Sequence, residues 1–273
     1  VNSTGGIAIP LLLEALGVHP VKLFCTPNGE FPHNPEPLKE HLGDLMRAVV
    51  SQGADFGIVV DPDVDRLAFV DEKGEMFGEE YTLVAVADYV LANTHGNTVS
   101  NMSSSRALRD ITNKHNGCYT ASAVGEVNVV QMMKDTKAVI GGEGNGGIIY
   151  PELHYGRDSL VGVALFLSHL VEQKTSVSAL RASYPSYFMS KQKIALTPQI
   201  DVDAILEKMA DTYKAEEITT IDGVKIDFES NWVHLRKSNT EPIIRIYTEA
   251  VTQDAADSLA NTIILEIKQI AGL

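Results

Sequence analysis

Apolar residues recur along the chain in two periods, and the places where the period changes outline its elements. Ser3 and Thr4 have the chemistry of N-caps for a helix over about residues 6–16, which Gly17 stops. Val21 to Phe24 reads as a short strand, and the proline-rich stretch 27–37 as a loop, because proline cannot donate to a ladder. Leu38, Leu42, Leu45, Met46 and Val49 then share one face of a helix over 36–51, closed by Gly53. Phe56 to Val60 is the continuous apolar run of a buried strand, and Leu67 to Val70 is another, ahead of a turn at Glu72-Lys73-Gly74. A helix over 79–91 completes this first unit, and His95-Gly96-Asn97 breaks the pattern.

The alternation then resumes. Strands are expected near 98–102, 118–121 and 138–141, with helices over 105–114 and 125–133 between them, as in stacked βαβ layers. A long apolar helix over 158–171 follows, and the texture changes around 183–190. From Lys193 the order is strand, helix over 202–213, a hairpin at Asp222-Gly223, strands at 232–236 and 243–247, and a last helix over 255–270. The fold class expected is α/β: two consecutive mixed or parallel three-layer α/β/α domains, residues 1–96 and 97–187, then a C-terminal α+β domain with an antiparallel sheet, residues 188–273.

Composition narrows the function classes. With 273 residues, 44% hydrophobic and 21% charged, the chain is ordinary globular material, which excludes disorder and fibrous repeats. No apolar run reaches the ~18 residues of a membrane span; the longest, Leu160 to Leu170, is cut by Ser168 and His169. Thirty-six acidic against 22 basic residues give a net charge of -14, so neither nucleic acid nor membrane is an expected partner. Cys25 and Cys118 belong to no C-x-x-C pair, and a reducing cytoplasm fits them. The chain opens Val-Asn-Ser-Thr-Gly-Gly, with no initiator Met, charged n-region or apolar h-region. A chain starting at a helix cap is expected to have lost the strand that feeds it, by a trimmed start or by deletion of a domain.

Three loops offer chemistry. In Asp61-Pro62-Asp63-Val64-Asp65-Arg66, at the end of a buried strand, carboxylates at i, i+2 and i+4 of an extended segment point to one side. They make an oxygen cage for a hard cation, with Mg2+ the natural choice and Arg66 adding a positive fork toward a phosphoryl group. The plain alternative is an exposed acidic turn. The second loop, Gly141 to Gly147, also follows an apolar strand, and its glycines permit close approach to a ligand. Ile148-Ile149-Tyr150-Pro151 reads as a strand, so no helix N-terminus is available for a dinucleotide pyrophosphate. Glu143 and Asn145 suit sugar hydroxyls, against the alternative of a tight turn with solvated polar groups. The third, Arg236-Lys237-Ser238-Asn239-Thr240-Glu241-Pro242 with Arg245 on the next strand, makes a cradle for a phosphate dianion; otherwise it is a polar turn.

Taken in this order, the three loops resemble those of the α-D-phosphohexomutase family: phosphomannomutase, phosphoglucosamine mutase, phosphoglucomutase and relatives. Asn2-Ser3-Thr4-Gly5-Gly6 is similar to the opening of the family's second domain, and Val124-Gly125 to a short segment of its third. The resemblance implies an isomerase that moves a phosphoryl group between the 6- and 1-positions of a hexose through a bisphosphorylated sugar and an enzyme phosphoserine. By the same resemblance Asp61, Asp63 and Asp65 hold magnesium, Glu143 and Asn145 bind the sugar, and Arg236, Ser238, Asn239, Thr240 and Arg245 hold the remote phosphate. Arg66 is the catalytic residue left in this chain, acting electrostatically. The phosphoserine loop has no counterpart here: Phe31-Pro32-His33-Asn34-Pro35 lacks a serine before the histidine and is similar to a proline-rich segment of the second domain. Ser103-Ser104-Ser105 has no activating base nearby and reads as helix capping. The partners implied are hexose phosphate, hexose bisphosphate and a missing N-terminal domain of the same protein, without which the chain is expected to be inactive. Many members carry Ser where Asn145 stands and His where Gly147 stands, which leaves the choice among mannose, glucose and glucosamine phosphates open. Two other readings are a haloacid-dehalogenase-like Mg-dependent phosphatase, with Asp61 as nucleophile, and a non-catalytic phosphosugar-binding module. Against the phosphatase, position 65 is Asp where that pattern prefers Thr or Val.

Overall fold

The computed structural model of the chain describes residues 2–195, 200–238 and 243–272. Its contacts divide it into two compact units, Val1–Pro185 and Ser186–Leu273.

In the first unit, α1 (Gly5–Ala15) begins where the pattern placed it, but not through a cap. Thr4 makes no capping bond, and the Ser3 hydroxyl donates to the Pro62 carbonyl (2.7 Å), tying the chain start to the first acidic loop. The strand expected at Val21 to Phe24 is not formed. Val21 and Leu23 are exposed, and among the described residues no strand pairs with them, so apolar alternation alone does not make a strand. The helix expected over 36–51 is divided: Lys39–His41 makes a single 3-10 turn, buried Leu42 takes a non-helical conformation, and α2 (Gly43–Gln52) follows. Gly53 ends α2 in the left-handed region, φ +63°.

Strands β1 (Phe56–Val60) and β2 (Leu67–Asp71) pair antiparallel, with Val60 opposite Leu67, so residues 61–66 form the hairpin connection. Helix α3 (Glu79–Asn93) leads into β3 (Asn97–Asn101), α4 (Ala107–Lys114), β4 (Tyr119–Ser122), α5 (Glu126–Thr136), β5 (Ala138–Glu143) and β6 (Gly147–Ile149). Their sheet has the order β4-β3-β5-β6, with the first three parallel and β6 antiparallel to β5. The residues after the glycine-rich loop are thus a strand, as the pattern required. Helices α6 (Ser159–Gln173) and α7 (Val177–Ala182) close the unit. Phe166 of α6 stacks on Phe69 of β2 (centroids 3.8 Å apart), with Phe77 edge-on to it, so the β1–β2 hairpin is seated on α6.

The second unit is an antiparallel sheet with two helices on one face: β7 (Phe188–Ala195), α8 (Val202–Thr212), β8 (Glu217–Thr219), β9 (Val224–Asp227), β10 (Trp232–Lys237), β11 (Ile243–Ala250) and α9 (Gln253–Ala271). The strand order is β7-β11-β10-β9-β8. Val233, Leu235, Ile244 and Ile246 pack with Met209 of α8 and Ile263 of α9, whereas Trp232, His234 and Arg236 alternate to the other face. Strand β7 starts five residues before Lys193, because as an edge strand it carries Lys191, Gln192 and Lys193, which conceal its apolar period. Among the described residues no helix is long and apolar enough to cross a membrane.

Candidate functional site

The acidic loop is folded around Asp61. Its buried carboxylate accepts the backbone N–H groups of Asp65 and Arg66 at Oδ1 (3.0 Å each) and the Arg66 Nε at Oδ2 (2.7 Å), which turns the loop back and aims the guanidinium. Val64 carries the turn at φ +64°, a conformation a β-branched residue rarely adopts. Its carbonyl is held by Ser159 at the start of α6, through both the backbone N–H (3.1 Å) and the hydroxyl (2.6 Å). One oxygen from each of Asp61, Asp63 and Asp65 then lies within 4.8 Å of the others. Asp61 is buried, Asp63 exposed and Asp65 intermediate, an all-oxygen set open on one side that fits a hard divalent ion. Burial works against charge on Asp61, yet the neighbouring Asp65 carboxyl, the Arg66 N–H and the Arg66 guanidinium hold it below the ordinary carboxylate range. Asp65 is pushed the other way, to about 7, by burial and by the Asp61 charge.

The glycine-rich loop lies directly against this one. Leu67 N–H donates to the Gly146 carbonyl (3.1 Å), and Arg66 and Gly147 form an antiparallel bridge. Gly146 has φ +86°, and a Cβ there would overlap the Leu67 carbonyl. Close approach is therefore spent on the protein's own backbone. Glu143, buried at the end of β5, accepts Asn101 Nδ2 (2.8 Å) and Gly125 N–H (3.2 Å) at Oε1 and Arg157 Nη1 (3.0 Å) at Oε2. Three of roughly four carboxylate lone-pair positions are thus occupied, leaving one on Oε2. Asn145 Oδ1 accepts the Gly147 N–H (3.1 Å), so its amide nitrogen is the group turned to other uses.

Residues that the sequence reading passed over complete the site. Arg157, just before the α6 cap Asp158, reaches Asp65 and Glu143 together. Its Nε lies 3.3 Å from Glu126 without hydrogen-bond alignment, while its backbone N–H donates to Glu126 (3.0 Å). Ser104 accepts the Gly144 N–H (3.0 Å) and donates to Asn101, so one of the three serines orients the loop; Ser105 accepts the Ala107 N–H (3.1 Å) from one residue ahead of the α4 N-cap position, which Arg106 occupies without a side-chain capping bond. The signal available was an arginine set between a glycine and an N-cap aspartate, at 156–158.

In the second unit, Arg236 on β10 stands opposite Arg245 on β11. Arg236 Nε donates to Asp222 Oδ1 (3.0 Å) and forms an ion pair with Oδ2 (2.9 Å), so the Asp222-Gly223 hairpin fixes its guanidinium. Ser238 begins the connection, its N–H donating to the Ile243 carbonyl (3.1 Å). Asn239 and Thr240 lie outside the described residues.

Comparison with known proteins gives one answer. Family models described as phosphoglucomutase/phosphomannomutase alpha/beta/alpha domain II, alpha/beta/alpha domain III and C-terminal domain match residues 1–74, 78–187 and 192–266. A phosphoglucomutase/phosphomannomutase of Thermococcus kodakarensis is 37% identical over 93% of this chain and 56% of its own length. A phosphoglucosamine/phosphogalactosamine mutase of Sulfurisphaera tokodaii is 33% identical over 98% of the chain and 60% of its own length. The chain thus spans little more than half the length of these relatives. Among solved structures, a phosphoglucomutase/phosphomannomutase family protein of Burkholderia thailandensis has the same fold, with a TM-score of 0.85 at 24% identity over 98% of this chain and 58% of that one. With three consecutive domain models of one family matched in order, the chain belongs to the phosphoglucomutase/phosphomannomutase family.

Proposed function

We propose that this chain supplies the cation, sugar-hydroxyl and remote-phosphate sites of a phosphohexomutase that interconverts hexose 6-phosphate and hexose 1-phosphate through a hexose bisphosphate. The observation that carries the reading is the set of three aspartate oxygens within 4.8 Å of one another, beside a guanidinium held by Asp61 and stitched by backbone to the glycine-rich loop. Magnesium held by Asp61, Asp63 and Asp65 would supply positive charge to the oxygens of a transferring phosphoryl group. Arg66, aimed by Asp61, adds a fixed donor fork on the same side. Glu143 offers its remaining lone pair to a ring hydroxyl and Asn145 its amide N–H groups. Arg236, oriented by Asp222, grips the second phosphate with Ser238, Asn239, Thr240 and Arg245. Fixed charge and hydrogen-bonding groups of this kind are the main requirement, because positioning and electrostatics carry most of phosphoryl transfer.

The phosphoserine that donates to the sugar belongs, on this proposal, to a further domain, and these 273 residues bind without turnover. Electron paramagnetic resonance with Mn2+ tests the cation site: saturable binding is expected for the unmodified chain, with at least a tenfold loss for Asp61→Asn or Asp63→Asn. Unchanged binding in both variants overturns the reading. Mutase turnover by the chain alone contradicts the assignment of the phosphoserine.

A further inference from the structure

One side chain joins the two loops at the level of charge. Arg157 sits just ahead of α6 with its side chain about one-fifth exposed, and its guanidinium meets Asp65 of the acidic loop through Nη2 and Glu143 of the glycine-rich loop through Nη1. It reaches them through space that residue 147 leaves vacant: a Cβ on Gly147 would overlap Arg157 Cδ and press on Cγ. Position 147 therefore has to be glycine for Arg157 to lie where it does. The remaining contacts fix the arginine's base, since its N–H donates to Glu126 and its backbone bridges Ile149 of β6.

We infer that Arg157 is a positioning residue that transmits the charge state of the acidic loop to Glu143, and that Gly147 is the residue that admits it. This rests on the reading of Asp61, Asp63 and Asp65 as a cation site and of Glu143 as a hydroxyl acceptor. A guanidinium is a planar fork and can bond two carboxylates at once. With the acidic loop free of metal, Arg157 is divided between Asp65 and Glu143. A divalent ion that takes up Asp65 competes with the guanidinium for that carboxylate, and the arginine's hold shifts toward Glu143. Glu143 is then oriented more firmly when the cation is present. Cation and sugar phosphate are consequently linked ligands, each raising the affinity of the other by the same factor.

The test is a linkage measurement on the full 273-residue chain. Mn2+ affinity is read by electron paramagnetic resonance with and without saturating glucose 1-phosphate, whose own binding is followed by calorimetry. The unmodified chain is expected to bind Mn2+ at least about fivefold more tightly with the sugar phosphate present, the lower end of ordinary coupling. Arg157→Lys keeps the charge but not the fork, and Gly147→Ala keeps every charge but expels the side chain. In both, Mn2+ should still bind alone while the linkage falls below about twofold. Linkage that persists in both folded variants overturns the inference, as does an unmodified chain that binds both ligands without linkage. Failure of the unmodified chain to bind Mn2+ at all overturns the cation site itself, a separate outcome.

Discussion

Val64 is the residue at which the acidic loop departs furthest from ordinary backbone. A left-handed conformation costs an L-residue roughly 1–2 kcal/mol, and Ser159 holds Val64 there by two hydrogen bonds to one carbonyl. Ser159→Ala removes the 2.6 Å hydroxyl bond and leaves the backbone one. It should lower stability by about 1 kcal/mol, seen as a small fall in the calorimetric melting temperature. The aspartates themselves were legible in the sequence because their spacing is local and their residue type is unambiguous. Arg157 was not, since its partners Asp65, Glu126 and Glu143 stand at distances along the chain that no period links. Ser3 was misread for the same reason: a hydroxyl before a helix looks like a cap until Pro62, far along the sequence, arrives beside it.

Among elements, α3, α4 and α6 are pinned to one another by a polar cluster away from the two loops. Buried Asp88 of α3 accepts His115 Nε2 (2.6 Å) and Lys114 Nζ (3.2 Å) at one oxygen and the Tyr184 hydroxyl (3.2 Å) at the other, and Tyr184 also meets His169 of α6 (2.9 Å). Burial opposes the charge, but the bonds from His169, His115 and Lys114 outweigh it and hold Asp88 well below the ordinary range. A depressed carboxylate contributes its stability above the unfolded value and loses it as pH falls through the folded one, so the contribution of this cluster is complete at neutral pH and declines as pH falls below the ordinary carboxylate range. Asp88→Asn at neutral pH should cost about 3 kcal/mol, measured as a lowered urea midpoint. Helices with strong periods, such as α5 and α9, were readable to within a few residues, and so were strands flanked by turn residues. Val21 to Phe24 shows where that stops: a strand is a pairing, and a single segment does not reveal whether a partner exists.

Across the whole molecule, the two compact units can be followed separately, because the chain has a single tryptophan and it is fully buried in the second unit, with its Nε1 donating to Glu249 (2.8 Å). Two residues along the same strand, His234 is pushed down to about 4 by burial, against the pull of the Asp222 carbonyl that it meets at 2.7 Å. The unfolded histidine titrates near 6.5, so between about 6.5 and 4 the unfolded chain binds the extra proton. Stability is therefore complete above that window and declines as pH falls through it. Moving from pH 7 to pH 5 should weaken the unfolding transition read by tryptophan fluorescence by about 2 kcal/mol, and His234→Gln should flatten that dependence. The family and the order of its domains were legible because three short loops carry distinctive residue types. How the loops are held was hidden, since it depends on backbone such as Leu67 and Gly146 meeting across the fold. That meeting restricts transplantation. A glycine-rich segment moved into another scaffold would bring Gly146 and Gly147 without the Leu67 carbonyl and Arg157 side chain for which they make room, so the exchangeable cassette is the pair of loops together with the first residues of α6.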